Sequence, residues 1–501
     1  MTKLVTRSSV RLHADAARVL ARLHVPGHEQ LTDGESRATG VLARVTAIPE
    51  EQVVATLQRV RDRFADRHRD LDAVLTAHYD EIAHRVPDVA SLSAARRDLV
   101  GAVFTNEFSV EGAALFNPSV VAHPDQAGVG EGSCRIVLSL RAVGEGHISS
   151  VEFRTGVVGP GRTLHIDEPG RHIETGRVST ARHHRDLFAA KLTESGADAE
   201  STRYLLGRLK AQFDQPELER ALIALTGQRV TRHGGERTAE LARRIARCSY
   251  EVEFSVDTSI AERVLWPEAP TESRGIEDAR FVRFTDDDGT VSYLATYTAF
   301  DGVRIEPQLI RTTDFRTFSI SQLAGPAAKD KGMALFPRKV GGRYAALTRS
   351  DRENSGVAFS KDGRRWAAPT TVLAPTEAWE VIQTGNCGAP IETAAGWLVL
   401  THGVGPMREY STGALLLDLA DPTRVLARLR EPLLIPAPHE REGYVPNVVY
   451  SCGSLLHGDQ LLLPYGASDA SVRFAFVDVP ELLARLAADG PPSTIDAKSS
   501  A

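Results

Sequence analysis

Apolar positions in the first hundred residues recur at the spacing of a helix face: Val53, Leu57, Val60 and Phe64 after Pro49, then Leu71, Leu75, Ile82 and Val86 before Pro87. Residues three or four apart share one side of a helix, so the pattern predicts amphipathic helices that start at Pro49 and stop at Pro87. From about residue 101 the period falls to two. Ile136, Leu138 and Leu140 alternate with polar neighbours, as do Val291, Tyr293, Ala295 and Tyr297. The stretches 396–403, 412–419 and 460–465 also read as strands, with turns such as Asp287-Asp288-Gly289 and Lys361-Asp362-Gly363 between such segments. Many short strands over several hundred residues predict an all-β architecture that is closed or radially repeated, because such a fold leaves few unpaired edges; a β-propeller is the natural candidate. Helical periodicity returns at about 183–247, where Tyr204, Leu205, Leu209 and Phe213, then Leu218, Leu222 and Leu225, recur.

The expected organisation is therefore a helical region at 1–100, for packing or oligomerisation, a β unit at 101–480 with a helical insertion at about 183–247, and a tail at 481–501. The tail is expected to be partly disordered, because Gly490 to Ser499 is rich in Gly, Pro and Ser. At 501 residues with 42% hydrophobic content the chain is long enough for more than one structural unit.

Charge and cysteine usage narrow the classes. The formal net charge is −6, from 65 acidic and 59 basic residues without a block of either sign, which argues against nucleic acid or a membrane surface as partner. The N-terminus has no apolar run of signal-peptide length, no stretch is long enough to span a bilayer, and Cys134, Cys248, Cys387 and Cys452 form no CxxC pair. Cytoplasmic residence with free thiols is the expectation. His123, His165, His172 and His183-His184 do not recur with Cys or Asp partners at ligand spacing, so no metal is expected; Gly128 to Gly132 lacks the Lys-Ser/Thr of a phosphate-binding loop, so no nucleotide is expected either.

The densest chemistry lies at Ser273 to Val282, where Glu277 and Asp278 stand between Arg274 and Arg280 at the start of a strand. Strand alternation would point the two carboxylates to opposite faces, one toward a pocket and the other toward an arginine. The element Gly275-x-Glu277-Asp278-x-Arg280 resembles the signature of glycoside hydrolase family 130, five-bladed propellers that include β-mannoside phosphorylases and some β-mannosidases. Further segments agree in order: Asn117-Pro118-Ser119, Arg141, Leu335 to Val340, Arg349, Gly388-Ala389-Pro390, Gly396-Trp397-Leu398 with His402-Gly403, Val445 to Val448, Cys452-Gly453, and Tyr465-Gly466 with Asp469. The resemblance covers about residues 105–480 apart from the insertion. Phe359 to Trp366 also resembles a turn seen in propeller blades.

The resemblance implies that Asp278 is the general acid. It implies that Asn117, Arg141, Asp469, Tyr444 and Asn447, with Glu277 and Arg280 of the signature, bind a β-mannoside oligosaccharide. It also implies that Lys331, Arg349, His402 and Gln383 face inorganic phosphate, the co-substrate, with no other cofactor. Phosphate is already an anionic nucleophile, so one protein carboxylate suffices for an inverting phosphorylase. Gln383 departs from the lysine that many phosphorylases have there, which keeps a water-using β-mannosidase open; that reaction needs a second carboxylate, for which Glu377, Glu380 and Glu442 are the candidates. A propeller that binds glycans without catalysis is the third reading.

Overall fold

The computed structural model describes residues 4–26, 37–86, 91–227 and 234–491. The β-rich part of the chain is built from five antiparallel meanders of four strands each. The first comprises Ala114–Ala122, Cys134–Val143, Ser149–Gly159 and Thr163–Ile166; the second Gly275–Thr285, Val291–Phe300, Ile305–Thr312 and Thr317–Gln322. The third comprises Ala334–Leu335, Tyr344–Thr348, Ser355–Ser360 and Thr370–Leu373; the fourth Gln383–Asn386, Gly396–Val404, Tyr410–Leu417 and Val425–Arg428. The fifth takes Val449–Tyr450, Gln460–Ala467 and Ser471–Asp478 from one end of the chain and Val5–His13 from the other. A single parallel pairing, Gly275 with Ser149, joins the first two meanders into one sheet.

Alternating apolar residues on both faces give every meander two neighbours to pack against. Phe153 meets Phe281 and Phe315 between the first and second, and Phe284 and Leu294 meet Leu335 and Trp366 between the second and third. Phe336 and Leu347 meet Trp397 and Leu415 between the third and fourth, and Leu400 and Ala414 meet Val449 and Tyr465 between the fourth and fifth. The fifth then meets the first, Leu462 and Phe474 against Leu115 and Leu138. Truncating any one of these large buried side chains would cost about 3–5 kcal/mol, since packed interiors relax only partly around a cavity.

The N-terminal stretch departs from the helical expectation. Val5–His13 and Val19–Leu23 are strands, and helices begin only at α1 (Arg37–Thr46), followed by α2 (Glu50–Phe64), α3 (Leu71–Ile82) and α4 (Ala94–Val103). In Val5–His13 the half-buried positions are Thr6, Ser8, Val10 and Leu12 while Arg7, Ser9, Arg11 and His13 are exposed. Hydroxyl residues in half of the inward places hide the period of two from a count of apolar residues. Val53, Leu57, Leu71, Leu75 and Ile82 are buried, whereas Phe64 is exposed; Pro87, the expected helix stop, lies outside the described residues.

Helices α5 (Arg185–Glu194), α6 (Ala199–Leu206), α7 (Gln215–Gly227) and α8 (Gly235–Ala246) have a core of their own around Phe188, Leu205, Phe213 and Leu222. Tyr250–Glu253 ties them to the outer strand of the second meander by pairing with Thr317–Gln322. The expected tail begins inside α9 (Val479–Asp489), whose Leu482 and Leu486 are buried beneath the fourth and fifth meanders; residues 492–501 lie outside the described residues. No helix among the described residues is long and apolar enough to cross a membrane.

Candidate active site

The first strands of four meanders each bring a polar side chain to one cluster: Asn117, Asp278, Gln383 with Asn386, and Tyr450. Second strands, or the residues just after them, add Arg141, Arg349, His402 and Asp469, and Lys331 precedes the third meander. Together they enclose a cavity of about 170 Å³ lined by Asn117, Arg141, Asp278, Lys331, Arg349, Gln383, His402 and Asp469, with Arg408, Tyr410, Val445, Val448 and Tyr450.

The backbone is bent where the chemistry sits. Asn117 and Asp278 have φ of 49° and 55°, and each lies in a register shift of its strand pair, between Phe116 and Ser119 and between Glu277 and Arg280. Asp469, Arg408 and Asn447 also have positive φ, at 49°, 57° and 62°. Such a conformation costs on the order of 1 kcal/mol for a non-glycine residue, Asn and Asp tolerating it best, and it collects at functional sites. A bulge re-aims the side chain that follows it. Gly275 earns its place in the signature sterically: its φ is 134°, and an added Cβ would lie 2.7 Å from the backbone nitrogen of Ser149.

As strand alternation implied, Asp278 lines the cavity while Glu277 turns to an arginine, but the bulge lets that one arginine reach both. Arg141 donates to Glu277, and its other terminal nitrogen lies 3.5 Å from Asp278 Oδ1, so one guanidinium spans both carboxylates. Lys331 Nζ is 2.5 Å from the second oxygen of Glu277. Asn117 Nδ2 donates to Asp278 Oδ1. Burial alone would raise the Asp278 carboxyl, but Lys331, Arg141 and Arg280, with the Asn117 amide, outweigh it and hold the group below the ordinary aspartate range. Asp278 is therefore held as an anion, and as a proton donor it must first gain a proton.

Four of the expected substrate-binding residues are not on the cavity wall. Glu277 is consumed by Arg141 and Lys331. Arg280 is buried beneath the cavity floor, donating to the Asp278 carbonyl at 2.9 Å, the Tyr450 hydroxyl at 2.6 Å and Asn386 Oδ1 at 3.3 Å; it anchors the bulge rather than a ligand. Tyr444 is 55% exposed on the rim, its hydroxyl 3.2 Å from His147 Nδ1. Asn447 acts through its backbone, accepting from Tyr410 N–H at 3.0 Å and donating to the Arg441 carbonyl at 3.2 Å, which brings Val445 and Val448 to the wall.

His402, expected to face phosphate, lines the cavity as a neutral ring. Burial, with Arg349 and Arg280 nearby, holds its imidazole well below the ordinary histidine value, so the ring is neutral at pH 7. Nδ1 faces the Asn386 carbonyl at 3.2 Å, which only accepts; Nδ1 therefore carries the hydrogen, and Nε2 offers a lone pair to Arg349 Nη1 at 3.4 Å. His402 orients Arg349. Neither Arg349 nor Arg408 has a carboxylate partner among the described residues, and the buried Nε atoms of Arg349 and Arg141 have no hydrogen-bond acceptor there. An anion in the cavity would complete the half-buried Arg349 and the exposed Arg408.

Asp469 is the second carboxyl on the wall. Burial, with the nearby Asp278 charge adding to it and Arg141 opposing it, pushes Asp469 up to about 6. The glutamates expected to serve a water-using mechanism are elsewhere: Glu380 is buried in a pair with Arg428, Glu377 lies 4.0 Å from that arginine, Glu442 is exposed, and none lines the cavity. Arg408, Tyr410 and Tyr450 are site residues that the sequence reading missed. Only Tyr450 carried a signal, two residues beyond Val448 of a segment already singled out.

Residues 245–487 match a family described as beta-1,4-mannooligosaccharide phosphorylase, glycoside hydrolase family 130. The chain is 34% identical over 223 residues to a 1,2-beta-oligomannan phosphorylase of Thermoanaerobacter sp. (strain X514), covering 44% of this chain and 73% of that protein. It is 33% identical over 252 residues to a beta-1,2-mannobiose phosphorylase of Listeria innocua serovar 6a, covering 48% of this chain and 68% of that protein. Among solved structures, a beta-1,2-mannobiose phosphorylase from Listeria innocua bound to beta-1,2-mannobiose aligns with a TM-score of 0.44 and 24% identity over 76% of this chain and 93% of that one.

Proposed function

Since the chain belongs to glycoside hydrolase family 130, we propose that it is an inverting β-mannoside phosphorylase acting on a terminal β-1,2-linked mannosyl unit. Inorganic phosphate attacks the anomeric carbon, the bond to the leaving saccharide breaks, and the departing oxygen takes a proton that originates on Asp278. The products are mannose 1-phosphate and the shortened saccharide. The observation that carries this reading is the placement of Lys331 and the uncompensated Arg349 on the same cavity wall as Asp278. The printed activities of the two relatives support the choice of linkage.

In this reading Asn117, Arg141 and Asp469 hold the mannosyl hydroxyls, and Lys331, Arg349 and Gln383 hold phosphate, with Arg408 closing the mouth. The five meanders are the blades of a propeller around that cavity. The cycle of shared cores supports it, as does the pairing of the last meander with Val5–His13, which gives it a fourth strand from the other end of the chain. The catalytic unit then spans residues 105–478 and includes the N-terminal strand. Four free thiols support a cytoplasmic setting, where phosphate is at hand.

Incubation with β-1,2-mannobiose tests the reading: mannose 1-phosphate should form only with phosphate present. Free mannose released at the same rate without phosphate would assign the cavity to hydrolysis, the outcome that Gln383 favours, with Asp469 as the remaining wall carboxylate.

A further inference from the structure

Glu277 is 6% exposed, touches no part of the cavity, and has both carboxylate oxygens occupied, one by Arg141 and the other by Lys331. Those two cations belong to different halves of the site, Arg141 beside the proposed sugar position and Lys331 beside the proposed phosphate position. Each also lies close enough to Asp278 to stabilise its anionic form. Resting on the reading of Asp278 as proton donor, we infer that Glu277 is a positioning residue that holds these two cations between its oxygens and offsets their charge, so that Asp278 can carry the proton the reaction consumes.

The charges around Asp278 make such an offset necessary. From its own strand comes Arg280, which donates to the Asp278 carbonyl; from the first meander comes Arg141, and ahead of the third comes Lys331. From the fourth comes His402, neutral; from the fifth come Tyr450, Cys452 and Asp469. Those three cations, with Arg349 and Arg408 on the same wall, against a partly protonated Asp469 would keep Asp278 ionised through every step. Behind the wall, Glu277 is the carboxylate that pairs with both Arg141 and Lys331. The bulge that turns Asp278 over places both neighbouring carboxylates on one guanidinium, an arrangement a regular strand forbids.

A general acid works in its protonated form, so turnover falls as pH rises through its apparent pKa. Removing the Glu277 charge strengthens the field of Arg141 and Lys331 at Asp278 and makes the proton harder to hold. With β-1,2-mannobiose and saturating phosphate, the alkaline limb of kcat for Glu277→Gln should move to lower pH by about one pH unit. Glu277→Ala should move it the same way, and Glu277→Asp, which keeps the charge, should return it toward the wild-type position even where kcat stays low. A merely structural role would lower kcat at every pH and leave the limb in place. An unmoved limb in the folded neutral variants, with an active wild type, overturns this inference alone; a wild type without phosphate-dependent turnover overturns the functional reading beneath it.

Discussion

Two buried charge clusters in this molecule have nearly the same composition and opposite uses. In the cavity, Glu277 and Asp278 face Arg141, Lys331 and Arg280. Beside the N-terminal strands, Glu111 and Glu152 face Arg18 and Arg154, all four at most 3% exposed. Arg18 lies 2.8 Å from Glu152 and 2.9 Å from Glu111, and it also donates to the carbonyls of Gly170 and Ala261. Arg154 pairs with both glutamates and with its neighbour's carbonyl. No residue of this second cluster has positive φ. There the arginines are paired with carboxylates and carbonyls, so the cluster pins Arg18 and the segment that follows the closing strand. In the cavity the backbone is bent, guanidinium Nε atoms stay unpaired, and space is left beside them. The two clusters differ in their backbone and in the open space beside the cavity's cations.

The sharpest test of that contrast removes one carboxylate's proton chemistry. Asp278→Asn should lower kcat on β-1,2-mannobiose by about 10³-fold while mannoside binding persists, because general acid catalysis contributes roughly 10²–10⁴-fold. Calorimetric binding lost together with turnover would instead make Asp278 a substrate ligand.

Next in size, Arg18→Ala should destabilise the fold by about 3 kcal/mol in denaturant titration, since it strips compensation from two buried carboxylates. The folded fraction should keep wild-type kcat. A matching loss of kcat would mean the two clusters are coupled.

The pH dependence of stability sharpens the comparison further. Burial and the adjacent Glu152 push Glu111 up to about 7, so the folded state holds a proton that the unfolded chain releases near the ordinary glutamate value. That contribution is complete below about pH 4.5 and is lost as pH rises toward 7. Glu111→Gln should therefore flatten the fall in unfolding free energy between those values, by on the order of 1 kcal/mol. An unchanged slope would place the titrating group elsewhere.

The smallest effect concerns the cavity again. Gln383→Lys adds a cation to the wall beside Arg349 and should lower KM for phosphate by roughly threefold, in line with the modest worth of a partly exposed ion pair. A raised KM would put Gln383 on the sugar side.

The cavity was more legible in the sequence than the scaffold that holds it. Asn117, Arg141, Asp278, Lys331, Arg349, Gln383, His402 and Asp469 were all singled out from the sequence and all meet on one wall. Glu277 was expected on the side of an arginine and is found there; what alternation could not show is that the bulge brings Asp278 to the same guanidinium. Arg408 sits in an exposed turn at Pro406–Arg408 whose residues look like any surface loop. The strand Val5–His13 escaped notice for a related reason: its partner, Ser471–Asp478, comes from the far end of the chain, and no local signal records that pairing.

Residue type and order by themselves determined the change from helical to strand periodicity, the carboxylate-and-arginine motif, and the family whose chemistry it carries. These are local facts, written in side-chain spacing. The tertiary structure alone decided which way Asp278 points, that His402 is neutral and orients Arg349, and that Glu277 is held by two cations at once. Each of those depends on burial and on partners from other chain segments, whose electric fields sum at one point.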